Sequence, residues 1–340
     1  MYFKTKKKLK TTKTTTHKNT FKTSRNVTKL YLGCHISITP SILDGIHYGE
    51  SIGANAFQIF MGNNRSASLK NKTKFEPNEC NEIKQYINKN NLSLIIHSIY
   101  LLNFCSYPPY SGHIKYQHAN IQYDLKYGAM IGAKCVVLHI GFKKNLSEDE
   151  AIKNLILNIN YICKYMPDGI ILGLETSACR GSEMGCTLEQ LDTIWKGIKY
   201  NNYTHTMGSI IKVGFVIDTA HIFSSGYDIS NLNGITDYLK KFDKMIGLKN
   251  IVTFHINDSK YNLGAKKDEH MGIGSGNIFN TDSGMKSLKY IKTLCIKKNI
   301  PMILETHGAA RIDSEGSHGS HGSHGYEYEI NLIKHLSDIP

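Results

Sequence analysis

VVLH (136–139) and ILGLE (171–175) are short apolar runs that stop on metal-ligand residues, His139 and Glu175, 36 residues apart. The figure recurs along the chain: LIIH (94–97) ends on His97, GFVID (214–218) on Asp218, VTFH (252–255) on His255 and MILE (302–305) on Glu305. Runs of this length, enriched in β-branched residues and bounded by Gly, Asn or Pro, read as strands buried on both faces. The intervals of 42, 36, 43, 37 and 50 residues between the six endings leave room for a helix and two connections each. Amphipathic stretches fill that room, among them EDEAIKNLILNINYICKYM (148–166) and ITDYLKKFDKMIG (235–247). Two more strand candidates, KLYLGCHIS (29–37) and NAFQIFMG (55–62), raise the count to eight. Eight strand and helix units over roughly 250 to 300 residues predict a (β/α)8 TIM barrel, with its active site at the carboxyl ends of the strands.

A closed barrel gathers those ends around one mouth, so three imidazoles and three carboxylates far apart in sequence face one cavity. Loop residues add to them: DTAH (218–221) sets His221 beside Asp218, and DEH (268–270) supplies Asp268 and His270. Both are read as loop groups, and the single residue between Asp268 and His270 is expected to let both bind one ion from an extended loop. The nine candidates are five His and four carboxylates, with no Cys, a donor set that suits zinc or manganese rather than an iron–sulfur cluster. A catalytic zinc takes about three protein ligands and keeps a position open for water. Nine ligands with one shared carboxylate therefore fit three ions in a cluster at the C-terminal ends of the strands. Singly, each residue is an ordinary core or surface group; six strand ends alike argue for the cluster.

The blocks GCHIS (33–37), HSIYLLN (97–103), VLHIG (137–141), LETSACRGSEMG (174–185), IDTAHIFSSGYD (217–228), FHINDSK (254–260), DEHMGIGSGNI (268–278) and PMILET (301–306) resemble, in content and order, those of endonuclease IV, the metal-dependent abasic-site nucleases. HINDSK and the Asp-x-His motif are the most specific of them. The resemblance implies three Zn2+, with Mn2+ an alternative at one site. His97 and His139 would hold the first and Glu175 would bridge it to the second. Asp218, His255 and Glu305 would complete the second, and His221, Asp268 and His270 would hold the third. Glu175 is the expected catalytic residue. Zinc lowers the pKa of bound water to about 7, and paired ions stabilise the attacking and departing oxygens of a phosphodiester. The expected reaction is hydrolysis 5′ to an abasic site in double-stranded DNA, leaving a 3′-hydroxyl and a 5′-deoxyribose phosphate. Trimming of 3′ ends or 3′ to 5′ exonuclease action would accompany it.

The resemblance further implies DNA contacts at Tyr100 and at Arg65 in MGNNRS, with His35 lining the same pocket. Read alone these are a rim tyrosine, a solvated arginine and a core histidine. Two departures concern the DNA-facing rim. Glu269 stands where the family usually has Arg, and Cys179 and Arg180 stand where it tends to have Gly and Gln. Arg180 is the candidate to restore the charge that Glu269 removes. The rival readings are a metal-dependent sugar isomerase or epimerase of the same barrel class, which does not need five His or the DEH loop, and a noncatalytic DNA-binding zinc protein. Structural zinc usually sits in Cys-rich sets.

The net charge of +13 is unevenly spread. Residues 1–30 hold ten Lys or Arg and no acid, against 31 basic and 28 acidic residues elsewhere. Residues 1–28 read as a disordered basic tail, a DNA arm, an import signal or a plain extension, ahead of a barrel over 29–340. SEGSHGSHGSHG (314–325) reads as a flexible insertion outside the metal site. The eight scattered cysteines, without a CxxC pair, suggest a reducing intracellular setting, and Cys179 and Cys186 are expected as buried free thiols. No membrane span or secretory signal is evident. A monomer is expected.

Overall fold

The apolar runs become parallel strands whose side chains alternate between two apolar surroundings. In the computed structural model, residues 28–199, 212–306 and 325–337 are described, with the backbone of 204–205 and 208–209. The strands are β1 (Leu32–His35), β2 (Ala56–Phe60), β3 (Ser93–His97), β4 (Cys135–His139), β5 (Ile171–Glu175), β6 (Val213–Asp218), β7 (Ile251–His255) and β8 (Met302–Leu304). They close in the order β1–β8–β7–β6–β5–β4–β3–β2, all parallel. All eight expected strands are present, and the fold is a TIM barrel. The first is shorter than its apolar stretch: pairing ends at His35, before the loop that leads to the Ser41 cap of the next helix.

Helices α1 (Ile42–Ser51), α2 (Pro77–Lys89), α3 (Lys115–Ile131), α4 (Glu148–Tyr165), α5 (Leu188–Gly197), α6 (Thr219–Ser224), α7 (Leu232–Met245), α8 (Asp282–Lys298) and α9 (Gly325–His335) lie between and after the strands. Two expected helices are α4 and α7. Ser147 and Glu150 form a reciprocal cap that fixes the start of α4. Helix α7 begins three residues before the apolar periodicity, because the Asn231 side chain accepts the Gly234 N–H.

One face of each strand packs against the helices. Phe57, Leu94, Val136, Leu138, Leu174, Phe215, Ile217 and Phe254 are fully buried there. Each such side chain contributes about 1.5–3 kcal/mol over an exposed one. The opposite face fills the barrel with a smaller cluster: Tyr31, Ala56, Ile95, Cys135, Val137, Val216 and Ile303. Further along the strands, the inward face gives His35 on β1, Gln58 on β2, His97 on β3, His139 on β4, Glu175 on β5, Asp218 on β6, His255 on β7 and, just past β8, Glu305. Each strand thus brings one polar residue to the mouth.

Register aligns these residues laterally. His139 is opposite Glu175, and Asp218 is opposite His255. The second pairing follows a register shift at Phe215/Val216, the kind of irregularity that re-aims side chains beside sites. The basic segment 1–28 and the insertion 314–325 lie outside the described residues, apart from Thr28 and Gly325. Among the described residues no helix is long and apolar enough to cross a membrane.

Candidate metal centre

The chemistry begins with how each imidazole is anchored. His97 Nδ1 lies 2.7 Å from its neighbour's carbonyl, Ser98 O, and His221 Nδ1 lies 2.7 Å from Thr176 O. A ring nitrogen that donates to a carbonyl leaves the other with its lone pair for a ligand. In both residues that second nitrogen, Nε2, turns to the mouth. His97 Nε2 and His139 Nε2 each stand 3.3 Å from Glu175 Oε2, and His221 Nε2 and His270 Nε2 each stand 3.2 Å from Asp268 Oδ1. Atoms about 2.0–2.1 Å from a tetrahedral zinc are about 3.3 Å from one another. Glu175 Oε2 and His270 Nε2 are buried and make no hydrogen bond, as expected of atoms spaced around an ion.

Three groups of donor atoms, each spanning no more than 4.8 Å, emerge from this arrangement. They are His97, His139 and Glu175; Glu175, Asp218, His255 and Glu305; and Asp218, His221 and His270. Glu175 joins the first two, with Oε2 towards His97 and His139 and Oε1 2.8 Å from His255 Nδ1. Asp218 stands between the second and third, a position the sequence reading assigned to the second alone. The three groups hold five imidazoles and three carboxylates, and Asp268, outside them but 3.2 Å from His221 and His270, adds a fourth carboxylate; this donor set fits zinc or manganese.

His221 corrects the expectation of a loop position. It lies in α6, which starts directly after β6. Asp218 Oδ1 accepts the His221 N–H at 3.0 Å, so the carboxylate caps the helix that returns the imidazole to the same cavity. The other loop group is extended. Asp258–Ser259 pairs with His270–Met271, and the Asp258 carboxylate accepts N–H groups from Ser259, Gly274, Gly276, Ile278 and Phe279. The chain wraps so closely that a Cβ on Gly276 would lie 2.5 Å from Asp258 Oδ1.

Electrostatics divides the imidazoles. Burial pushes His139 down to about 4, against the pull of Glu175, and pushes His35 down to about 4. Burial also opposes charge on His221, His255 and His270, yet the neighbouring carboxylates raise all three, His270 to about 9. Burial opposes ionisation of Glu175 as well, but His139 and His255 hold it well below the usual carboxylate range.

The cluster floors a cavity of about 340 Å3. Tyr100, half exposed, stands over it with its ring 5.3 Å from that of His97 and 5.5 Å from that of His139. Arg180 lines the wall and pairs with Glu183 at 3.1 Å. Glu269 is engaged by Lys260 and Tyr261, so its charge is locally offset without Arg180. His35 touches Gln58 and Phe60 and borders a separate trough between the loops after β1 and β2, of about 1070 Å3. Arg65 is exposed on that second loop and does not line the metal cavity. The loop is held by a buried ion pair, Lys72 to Asp124 at 2.7 Å, and by Asn120 to Ala67 O at 2.8 Å. Cys179 and Cys186 form a disulfide, with Cα atoms 5.3 Å apart, rather than the free thiols expected; the turn after β5 folds its ends together. Gln58, Asn257, Asp258 and the Lys72–Asp124 pair are site-supporting residues that the sequence reading missed. Asn257 and Asp258 stand within the HINDSK block without their roles being evident there, and Gln58 is a polar residue inside an apolar strand.

Residues 46–333 match the family described as xylose isomerase-like TIM barrel, AP endonuclease 2. The putative endonuclease 4 of Acanthamoeba polyphaga mimivirus is 33% identical over 282 residues, covering 81% of this chain and 85% of the relative. This chain belongs to the endonuclease IV family. The probable endonuclease 4 of Halothermothrix orenii is 32% identical over 276 residues, 81% of this chain and 92% of its own. Endonuclease IV of Thermus thermophilus superposes with a TM-score of 0.69 at 21% identity, over 90% of this chain and 98% of that one, which demonstrates the shared fold. Within the endonuclease IV family, the departures at Arg180 and Glu269 fall on the rim, whereas all nine candidate ligands converge.

Proposed function

We propose that this protein is a zinc-dependent AP endonuclease of base excision repair, which hydrolyses the phosphodiester 5′ to an abasic site in double-stranded DNA and leaves a 3′-hydroxyl and a 5′-deoxyribose phosphate. The observation that carries the proposal is the cluster of three donor groups joined through Glu175 and Asp218 at the floor of one open cavity. The relatives' name, endonuclease 4, supports it. Bound zinc would supply hydroxide near neutral pH and offset charge on the phosphate. The first ion would be held by His97, His139 and Glu175, the second by Glu175, Asp218, His255 and Glu305, and the third by His221, Asp268 and His270, with Asp218 alongside. Mn2+ is an alternative at one position.

The chain's own residues do the rest. Glu175 presents one oxygen to each of two donor groups, so it orients whatever reacts between them. Tyr100 projects over the cluster, where its ring can occupy the space of a missing base. An abasic nucleotide leaves the stack at little cost because it has no base to unpair. Arg65 and the adjoining trough, together with Arg180, are assigned to the DNA backbone and minor groove. The proposal is tested on a duplex containing one tetrahydrofuran abasic analogue, with and without chelator. Incision 5′ to the lesion, free of β-elimination products and suppressed by chelation, is the expected result. Zinc-loaded protein that leaves the duplex intact would overturn it. The same assay on a recessed blocked 3′ end measures trimming and exonuclease action.

A further inference from the structure

Of the strand-end side chains at the mouth, His35 and Gln58 supply no atom to any of the three donor groups, and Gln58 is the one that touches the donors. Gln58 is fully buried on β2, and its amide meets two of the second group's members. Its Oε1 lies 2.8 Å from His255 Nε2, its Nε2 donates to Glu305 Oε1 at 2.5 Å, and the same Nε2 lies 3.3 Å from His35 Nδ1. The orientation is forced by chemistry. A carboxylate only accepts, so the NH2 end faces Glu305 and the oxygen faces His255. An amide oxygen also only accepts, so His255 carries a hydrogen on Nε2, and Nδ1 is left to face Glu175 and Glu305, donating a proton to them in the metal-free chain or offering its lone pair to an ion among them. Asn257 complements this from the other side: its Nδ2 donates to Asp218 Oδ2 at 2.6 Å, and its Oδ1 accepts the Glu305 N–H at 2.9 Å.

We propose that Gln58 is the positioning residue of the second metal site, fixing the tautomer of His255 and the orientation of Glu305, and that its removal empties this site selectively. The proposal rests on the three-site reading above. Selectivity follows from the anchors elsewhere: His97 and His221 donate to backbone carbonyls, which a substitution at residue 58 does not remove. An outer partner of this kind is typically worth 10–100-fold in metal affinity.

The test strips the full chain with chelator and titrates zinc against a chromophoric competitor, with metal content measured after gel filtration. Wild-type protein is expected to bind three ions. Gln58→Met, close in volume and without hydrogen bonds, is expected to bind two with unchanged constants and the third about 10–100-fold more weakly. In 15N-labelled protein, the hydrogen-bonded Nε2–H of His255 is expected to lose its slow exchange in the variant. Gln58→Asn, which keeps the amide but shortens it, serves if the Met variant does not fold, and is expected to weaken the same ion. Wild-type constants for all three ions in the variant, or equal weakening of all three, would overturn the proposal while leaving the three-site reading intact. Wild-type protein that binds no zinc would overturn that reading, and this proposal with it.

Discussion

At the scale of the residue, a carboxylate or imidazole that closes an apolar strand is conspicuous, and six of the eight mouth positions were legible on that ground. Gln58 was not, because it is uncharged and Ile59 and Phe60 continue the apolar run past it. The distinction between His97, held by a carbonyl, and His255, held by an amide, is equally invisible in sequence, since the partners are remote or belong to the backbone. Glu175→Gln is expected to lower the rate of abasic-site cleavage by more than about 100-fold, the upper end for an outer partner, because it alters a donor itself. DNA binding measured by anisotropy should change little. A second expectation concerns pH. Burial disfavours the charged forms of His221, His255 and His270, but the adjacent carboxylates prevail and raise all three in the metal-free chain. Their stabilising contribution is therefore complete below the unfolded value of about 6.5 and is lost as pH rises through the folded values, about 9 for His270. The urea midpoint of chelated protein should fall across that window, while zinc affinity rises because fewer protons must be displaced. Arg180→Ala should flatten the dependence of log K for DNA on log salt by about 0.9, the share of one phosphate contact. An unchanged slope would assign Arg180 to its Glu183 pair alone.

At the scale of the element, apolar period and length made the strands and the longer helices readable. Helix α6 was missed because it has six residues and begins without a connecting loop, its cap being the last residue of β6. The loop after β7 is extended, as expected for DEH, but its organiser, Asp258, was not recognised because it bonds to backbone N–H groups, which have no sequence signature. Asp258→Ala would leave several buried N–H groups without acceptors, at about 1–3 kcal/mol each. It should lower stability by at least ~3 kcal/mol in urea unfolding and cost the ion held by Asp268 and His270. Loss of stability with full metal content would show that the carboxylate supports the fold alone. The loop after β2 is pinned by a pair buried on both sides, Lys72 and Asp124, with side chains 2% and 0% exposed. Breaking it with Lys72→Met strands Asp124 and should cost about 3–5 kcal/mol; adding Asp124→Leu should recover much of that.

At the scale of the whole molecule, the closed sheet turns a string of distant endings into one centre. The repeat of about 40 residues made that architecture readable from sequence. The disulfide was not, because connectivity depends on how the turn after β5 folds. Removing residues 1–28 is expected to leave the rate of cleavage at saturating DNA unchanged, while reducing the salt dependence of binding if the segment contacts phosphate. A fall in bound zinc would instead make it part of the fold. The barrel's closure also orders events in time. Glu305 follows the last strand, β8, which pairs with both β1 and β7. The second group, which needs Glu305, is therefore incomplete until the chain has passed its last strand. Completion of the donor cluster thus coincides with closure of the barrel that encloses it.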